Sequence, residues 1–356
     1  MNSTIHKKVL FIASRIYCGA FILAALPLAS QELLVYEGFE LTATGGSYSE
    51  GALEGQAQAD PTSAGFSSGW STKAFDGSRT IVPNGLNYTD GSGAILTTAE
   101  GSLQLLPGAR AERSLDANGA LGDYSLFGSI GLVTGETLYI SYLMKHDLFD
   151  GPSSEFGNEV AIFGLSSSTD TAINVFANTP TAQDSFGSDQ YFIRPYNNND
   201  LNTAIGPTVP DETHLFVVKI EFVEGADNDI VSVYLDPVLS SEDANTPGAV
   251  FDEGDMTFNQ LSLGRFNGFD DNGATFDELR MGSTWESVTP YEGGGGTSEW
   301  AGYLVDENGD ANTQAFLGWL RIYPDTGWIY SYALTKFMYL PESNVLESGA
   351  WSYVPR

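Results

Sequence analysis

The segments HLFVVKIEFVE (residues 214–224) and DIVSVYLDP (residues 229–237) decide the fold class. In the first segment apolar side chains alternate with charged ones, and in the second the apolar residues Val231, Val233 and Leu235 share one face. Such a period of two is typical of a β-strand with one buried face. The Gly-Ala-Asp-Asn sequence between the segments predicts a turn. Together they predict an antiparallel hairpin.

Other segments extend the predicted sheet. TLYISYLMKH (residues 137–146) is apolar on both faces, which predicts a central strand. FNQLSLGRF (258–266) and FDELRMG (276–282) predict two more strands. Forty glycines and the absence of a long 3.6-residue period argue against a helical protein. We therefore expect an all-β chain, with an antiparallel jelly-roll sandwich over residues 31–290.

Two neighbouring acids in FDELRMG resemble a catalytic pair or a metal site. In a regular strand, neighbours point to opposite faces, so Asp277 and Glu278 are expected to diverge. Alternation places Asp277 with Leu279 on the core side, where it would bind backbone amides or support a nearby calcium loop. It leaves Glu278 and Arg280 as an exposed pair.

The chain begins with a pattern typical of a signal peptide. Lys7, Lys8 and Arg15 precede an apolar run at residues 16–26, which is shorter than the ~20 residues of a spanning helix. Residues 1–30 are thus a predicted leader, and they contain the only cysteine. Without them, 12 basic residues face 46 acidic ones, a formal charge of −34. That charge disfavours nucleic acid and anionic membranes as partners and suits a secreted or cell-surface protein.

Residues 293–296 are four consecutive glycines, which predicts a linker over residues 291–298. Residues 299–356 form a predicted small β domain rich in Trp and Tyr. Its aromatic residues alternate along predicted strands, so that one face would carry Trp328, Tyr330, Tyr332 and Trp351. A small domain without cysteine needs apolar area, so a core role is expected for these rings first and a glycan-binding face second.

LLVYEGFE, VVKIEF, DNDIVSVYLDP and FDELRMGSTWESV resemble segments of the concanavalin A-like, laminin-G-like jelly-roll domains of secreted bacterial proteins. The resemblance implies that FDELRMG is the final strand, returning beside the first. The family includes carbohydrate-binding modules, adhesion modules and polysaccharide-cleaving enzymes, and the fold does not choose among them. The tail is similar to short Trp-rich C-terminal units of secreted bacterial proteins.

Catalytic motifs are weak in this sequence. No Glu-x-Asp-x-Glu run supplies paired carboxylates on one strand face, and no Gly-x-Ser-x-Gly elbow is present. His146 and His214 end predicted strands, which favours surface or capping roles. For a metal, Asp270, Asp271 and Asn272 offer oxygen ligands suited to structural calcium, with an ordinary turn as the alternative. Asp306, Asn308 and Asp310 begin like a calcium loop but lack its glycine and glutamate positions.

Aromatic residues in polar loops are the predicted carbohydrate contacts. They are Trp70, Tyr196 and Phe269, whose rings could stack on sugars while nearby Asn and Asp bind hydroxyls. Each could instead be a buried loop anchor, the role expected for Trp285.

Three functional hypotheses follow from the sequence. The first is a secreted, non-catalytic carbohydrate-binding or surface-associated adhesion module whose partner is a polysaccharide or cell-surface glycan. The second is a polysaccharide-active hydrolase or lyase on the same fold, and the third is a structural exoprotein without a small ligand. An exposed aromatic patch would favour the first, and a groove with two carboxylates would favour the second.

Overall fold

The structure is a computed structural model. The residues that it describes are 33–54, 56, 65–72, 78–106, 108–146, 158–167, 171–179, 190–195, 203–252, 254–264, 273–292, 298–300, 303–305, 310–313, 317–323 and 328–340. Contacts divide the chain into two units, Met1–Ser30 and Gln31–Arg356. The predicted leader lies outside the described residues. Within them, no helix is both long and apolar enough to cross a membrane.

Nearly all regular structure in these ranges is β. The strands are β1 (Leu33–Glu37), β2 (Gly51–Ala52), β3 (Ser71–Thr72), β4 (Arg79–Val82), β5 (Ile95–Leu96), β6 (Ser102–Leu105), β7 (Arg110–Ser114), β8 (Ser125–Leu126), β9 (Ser129–Ile130), β10 (Thr137–His146), β11 (Asn158–Ser166), β12 (Thr171–Thr179), β13 (Gln190–Pro195), β14 (Thr203–Pro207), β15 (Thr213–Glu221), β16 (Ile230–Leu235), β17 (Ala249–Phe251), β18 (Gln260–Gly264), β19 (Ala274–Gly282), β20 (Tyr291–Glu292), β21 (Ser298–Trp300), β22 (Tyr303–Val305), β23 (Asp310–Asn312), β24 (Trp319–Tyr323), β25 (Trp328–Ser331) and β26 (Lys336–Tyr339). One short helix, α1 (Trp285–Val288), and 3-10 turns at Thr42–Thr44, Gly122–Tyr124 and Glu242–Ala244 complete the described elements.

The front sheet contains nine strands in the order β17-β16-β15-β10-β19-β6-β4-β2, with β1 also paired to β19. The hairpin predicted from residues 214–237 is confirmed: β15 and β16 are antiparallel, with Val218 opposite Val233. The central position predicted for residues 137–146 is also confirmed, because β10 lies between β15 and β19.

The closing role of FDELRMG is confirmed as well. On one edge β19 pairs with β10, and on the other it pairs antiparallel with β1 and β6. The first strand and the last long strand of the sandwich are therefore neighbours. This pairing closes the front sheet.

The back sheet contains seven strands in the order β14-β13-β12-β11-β18-β7-β3. The strand predicted over residues 258–266 appears there as β18, between β11 and β7. Inward side chains of the two sheets meet in one hydrophobic cluster, with Tyr142 stacked between Phe163 and Phe216. The all-β sandwich expected from the sequence is therefore the observed architecture.

The front sheet is buried on its outer side too. Leu143, Leu215 and Val217 belong to a second apolar cluster, together with residues of the segments that cross this side. Trp285 of α1 lies in that cluster, 3% exposed, as the anchor role predicted for it requires. Burial on both sides explains why residues 137–146 lack strict alternation.

A third sheet, the tail sheet, comprises the six strands β21 to β26 in sequential order, all antiparallel. Its buried side consists mainly of aliphatic residues such as Leu320, Ile322 and Ile329, joined by Trp300. The first two residues of the linker predicted over residues 291–298 lie in a strand, because Tyr291–Glu292 pair as β20 with β5. The predicted domain boundaries otherwise remain a prediction.

Candidate functional site

A β-bulge in β19 brings the two neighbouring acids to the same side of the sheet. Glu278 has φ +53°, and the register with β10 shifts between Ser141 and Leu143. Asp277 therefore accepts hydrogen bonds from the backbone of Leu86 (2.8 Å), while Glu278 accepts one from Ala99. Strict alternation predicted divergence and a core-side Asp277, and both expectations are wrong because a bulge inserts one extra residue.

Both acids of the bulge are buried and accept hydrogen bonds from neighbouring segments. Glu278 also forms an ion pair with Arg280 and accepts a hydrogen bond from the hydroxyl of Tyr36 (3.2 Å). The prediction from alternation that Glu278 and Arg280 are exposed is wrong, because both side chains are buried. Burial raises the pKa of Asp277 well above its usual range, and the charge of Glu278 raises it further. The expectation that Asp277 binds backbone amides is confirmed. These acids hold a covering segment onto the front sheet.

Trp70, a predicted sugar contact, is a buried anchor. Its ring is 7% exposed, packs against Phe39, and donates its indole N–H to Glu37 (3.2 Å). Glu37 also accepts hydrogen bonds from Tyr48 (2.8 Å) and forms an ion pair with Arg113. Burial raises the pKa of Glu37, and the Arg113 charge opposes that rise. In this position the indole presents no open face for stacking.

The two histidines are also buried, so the surface alternative of the surface or capping role predicted for them is wrong. Tyr191 lies between them, with ring centroids 5.8 Å from His146 and 5.4 Å from His214. The His214 Nδ1 atom lies 2.6 Å from a carboxylate oxygen of Asp236. Burial alone would lower the pKa of His214, but the hydrogen bond and charge of Asp236 raise it above its ordinary value. The sequence could not show the contact between His214 and Asp236, because His214 lies at the start of β15 and Asp236 follows the end of β16.

Six predicted site residues lie outside the described residues. They are Tyr196, Phe269, the calcium candidates Asp270, Asp271 and Asn272, and Trp351. Their roles remain predictions. Among the described residues, no group of three or more His, Cys, Asp or Glu side chains is placed to hold a metal.

The tail sheet carries an exposed aromatic face. Its members, called the aromatic face from here on, are Trp319, Tyr323, Trp328, Tyr330, Tyr332, Phe337 and Tyr339. All except the half-buried Tyr330 are between 36% and 51% exposed. The core role expected first for Trp328, Tyr330 and Tyr332 is wrong, because the aliphatic side of the same strands is the buried one.

Strand register arranges the aromatic face in rows. Tyr323, Trp328 and Tyr339 lie opposite one another across β24, β25 and β26, and Tyr330 lies opposite Phe337 in the next row. Ring centroids in contact are 5.1 Å apart for Tyr330 and Phe337 and 5.4 Å apart for Trp328 and Tyr339. From strand spacing and rise, the three strands offer a platform about 10 Å wide and about 13 Å long.

A polar group borders the aromatic face. Arg321 donates two hydrogen bonds to Asp310, at 2.6 and 3.0 Å, and Tyr332 donates a third at 2.9 Å. The Arg321 hydrogen bonds lower the pKa of Asp310. Fixed donors and acceptors therefore lie beside flat apolar rings, which is an arrangement suited to ligands with apolar faces and polar edges. Asp310 therefore belongs to this hydrogen-bonded group. Residues 306–309, which precede it in the loop compared with a calcium loop, lie outside the described residues.

No family model matches the chain, and no curated protein matches it. Among solved structures, an endo-β-1,4-glucuronan lyase from the fungus Trichoderma reesei is similar at 12% identity and a TM-score of 0.38, covering 68% of this chain and 96% of that one. A carbohydrate esterase from the Shiga toxin-encoding bacteriophage phi24B is similar at 9% identity and a TM-score of 0.36, covering 70% and 99%. An alginate lyase from Chlorella virus is similar at 11% identity and a TM-score of 0.31, covering 71% of this chain and 100% of that one. At these TM-scores the likeness assigns this chain neither a family nor an activity.

Proposed function

We propose that this protein binds carbohydrate, without cleaving it, through the aromatic face of its tail sheet. The observation that carries the proposal is the exposure of five large aromatic side chains on one side of three adjacent strands, and of Tyr332 directly after β25. The same strands bury an aliphatic side, so the rings are not needed to complete the core. The binding hypothesis from the sequence therefore has a specific surface.

Sugar chains match this surface chemically. The apolar C–H faces of a pyranose ring can lie on Trp and Tyr rings, while the hydroxyl groups at its edge find hydrogen-bonding partners in Asp310, Arg321 and the tyrosine hydroxyls. Because Asp310 and Arg321 neutralise each other, the surface offers no excess charge to an ionic ligand. A formal charge of −31 for the whole chain further disfavours polyanionic glycans. A neutral polysaccharide is the ligand class that fits.

The first experiment measures retention of the protein on a glycan array and on insoluble neutral polysaccharides, with and without added calcium. The test variant carries Trp319→Ser and Trp328→Ser, which removes two exposed rings from different rows. The matched control is Val250→Ser, which removes a 51% exposed apolar side chain from β17 of the sandwich. We expect the double variant to lose at least about tenfold in affinity and the control to bind like the wild type.

Three results would contradict the proposal. The wild type could bind no glycan, or the double variant could bind as tightly as the control. Any bound glycan is also incubated with the protein and analysed for products. Release of reducing ends or unsaturated sugars would replace the non-catalytic proposal with the enzyme hypothesis.

A further inference from the structure

A polar pocket opens at the ends of β7 and β18 in the back sheet, among residues that the sequence did not single out as a site. Its volume is about 380 Å³, within the roughly 300–1,000 Å³ usual for small-molecule sites. Its polar lining comes from β7 and the loop after it, from the residues around β18, and from Ser67. The polar lining residues are Ser67, Ser114, Asp116, Asn118, Asn259 and Gln260.

The pocket is bordered by an unusual hairpin tip. Gly128, which lines the pocket, and Phe127 form the two-residue connection between β8 and β9, and both have positive φ (80° and 54°). Such turns favour Asn, Asp or Gly, whereas a bulky residue is strained in the left-handed region. Phe127 is also 98% exposed, so its ring gains nothing from burial. A residue that costs stability and buries no area is a feature expected at functional sites.

The hairpin is anchored at its base. Ser125 donates a hydrogen bond to the backbone carbonyl of Ala117, another pocket-lining residue. Ile130, at the end of β9, is fully buried and exchanges backbone hydrogen bonds with Phe258. Phe127 therefore directly precedes the pocket-lining Gly128 on a hairpin anchored at its base.

We propose that this pocket, with Phe127 at its rim, is a second binding site for a single neutral sugar residue. Hydroxyl and amide side chains both donate and accept hydrogen bonds, as the hydroxyl groups of a sugar require. The described lining contains no Lys, Arg or His to pair with an anion, and Asp116 would repel one. A single carboxylate is too few for a calcium site, which needs several oxygen ligands. The exposed Phe127 ring supplies the apolar surface on which a sugar face can lie.

This site is independent of the aromatic face. None of its lining residues belongs to the tail sheet, so loss of tail binding would leave it intact. The two surfaces also differ in ligand size, because the pocket accommodates one sugar unit and the tail platform spans several rings. A monosaccharide titration therefore tests the pocket without depending on polysaccharide retention by the tail.

The experiment titrates the whole protein with the methyl glycosides of glucose, galactose, mannose, xylose and N-acetylglucosamine, observed by saturation-transfer NMR. The key variant is Phe127→Asn, because Asn tolerates the left-handed conformation and removes the ring. A second variant, Asn118→Leu, removes an amide from the lining. The control is Leu132→Ser, which removes a 42% exposed apolar side chain that does not line the pocket.

We expect saturable binding of at least one glycoside, weakened about tenfold or more by Phe127→Asn and by Asn118→Leu. Leu132→Ser and the Trp319/Trp328 double variant should bind like the wild type. Phe127→Asn should melt at the same temperature or higher, which separates loss of binding from loss of fold. The proposal is overturned if no glycoside binds or if binding survives both pocket variants.

Discussion

The sandwich and the tail sheet use aromatic side chains in opposite ways. In the sandwich, Tyr142 and Trp70 lie in the core, and Trp285 anchors a covering segment. In strands β24 to β26 of the tail sheet the same residue types face solvent, while Leu320, Ile322 and Ile329 form the buried side. Aromatic content alone therefore does not identify a core. Within the part of the chain that the structure describes, the two regions differ in whether a second layer covers the rings.

The sharpest test of this difference compares one tryptophan from each region. Trp70→Ala should lower the free energy of unfolding by about 3–5 kcal/mol, because a buried ring and its hydrogen bond to Glu37 are lost. Trp319→Ala should change it by no more than about 0.5 kcal/mol, because that ring is half exposed. Urea unfolding followed by circular dichroism measures both. Equal losses in the two variants would contradict the contrast between the regions.

A second test stays within the tail sheet and compares its two sides. Ile329→Ala removes a side chain that is 1% exposed and should destabilise the tail by about 2–4 kcal/mol. Tyr330→Ala, one residue away on the aromatic face, should cost less. Hydrogen exchange of the tail backbone amides reports local stability for each variant. Faster exchange in Tyr330→Ala than in Ile329→Ala would mean that the aromatic side is the true core.

The smallest expected effect concerns ionic groups. Asp236 raises the pKa of His214 in the folded state, so the stabilisation is complete below the unfolded pKa of about 6.5 and is lost as pH rises through the folded value. Asp236→Asn should therefore cost up to about 1 kcal/mol at pH 6, discounted for the partial exposure of Asp236, and almost nothing at pH 9. The partly buried Asp310→Asn serves as the tail control, with no such dependence over this range because the pKa of Asp310 is lowered from its ordinary acidic value. A constant difference between wild type and Asp236→Asn from pH 5 to 9 would contradict this assignment.

The sequence predicted the elements of the sandwich better than their surroundings. Alternation and turn residues were sufficient for the hairpin of β15 and β16, and a run apolar on both faces was sufficient for the central β10. Both signals are local, because they depend only on neighbours along one strand. The closing position of β19 came from family resemblance and agrees with the observed pairing with β1.

The functional surfaces were harder to predict because they depend on contacts across the fold. Alternation separates two faces of a strand but does not say which one meets solvent, and this ambiguity caused the wrong core assignment for Tyr332. Trp70 is buried because Glu37 and Tyr48, distant in sequence, surround it. Phe127 gave no sequence signal as a site, since a Phe-Gly pair is not a usual turn sequence.

The bulge at Glu278 has a consequence for how β19 tolerates change. Before it, the inward residue is the even-numbered Phe276, and after it the inward residues are the odd-numbered Leu279 and Met281. The inward positions thus change from even-numbered to odd-numbered residues in the middle of the strand, and the packing of the front sheet depends on that change. Losing one of the two bulge acids would restore regular alternation with Phe276, Leu279 and Met281 still inward, whereas losing a residue elsewhere in β19 would turn one half of the strand over and exchange its ionic side for its apolar side. A single-codon deletion within β19 but outside the bulge would therefore be far more damaging than one that removes a bulge residue.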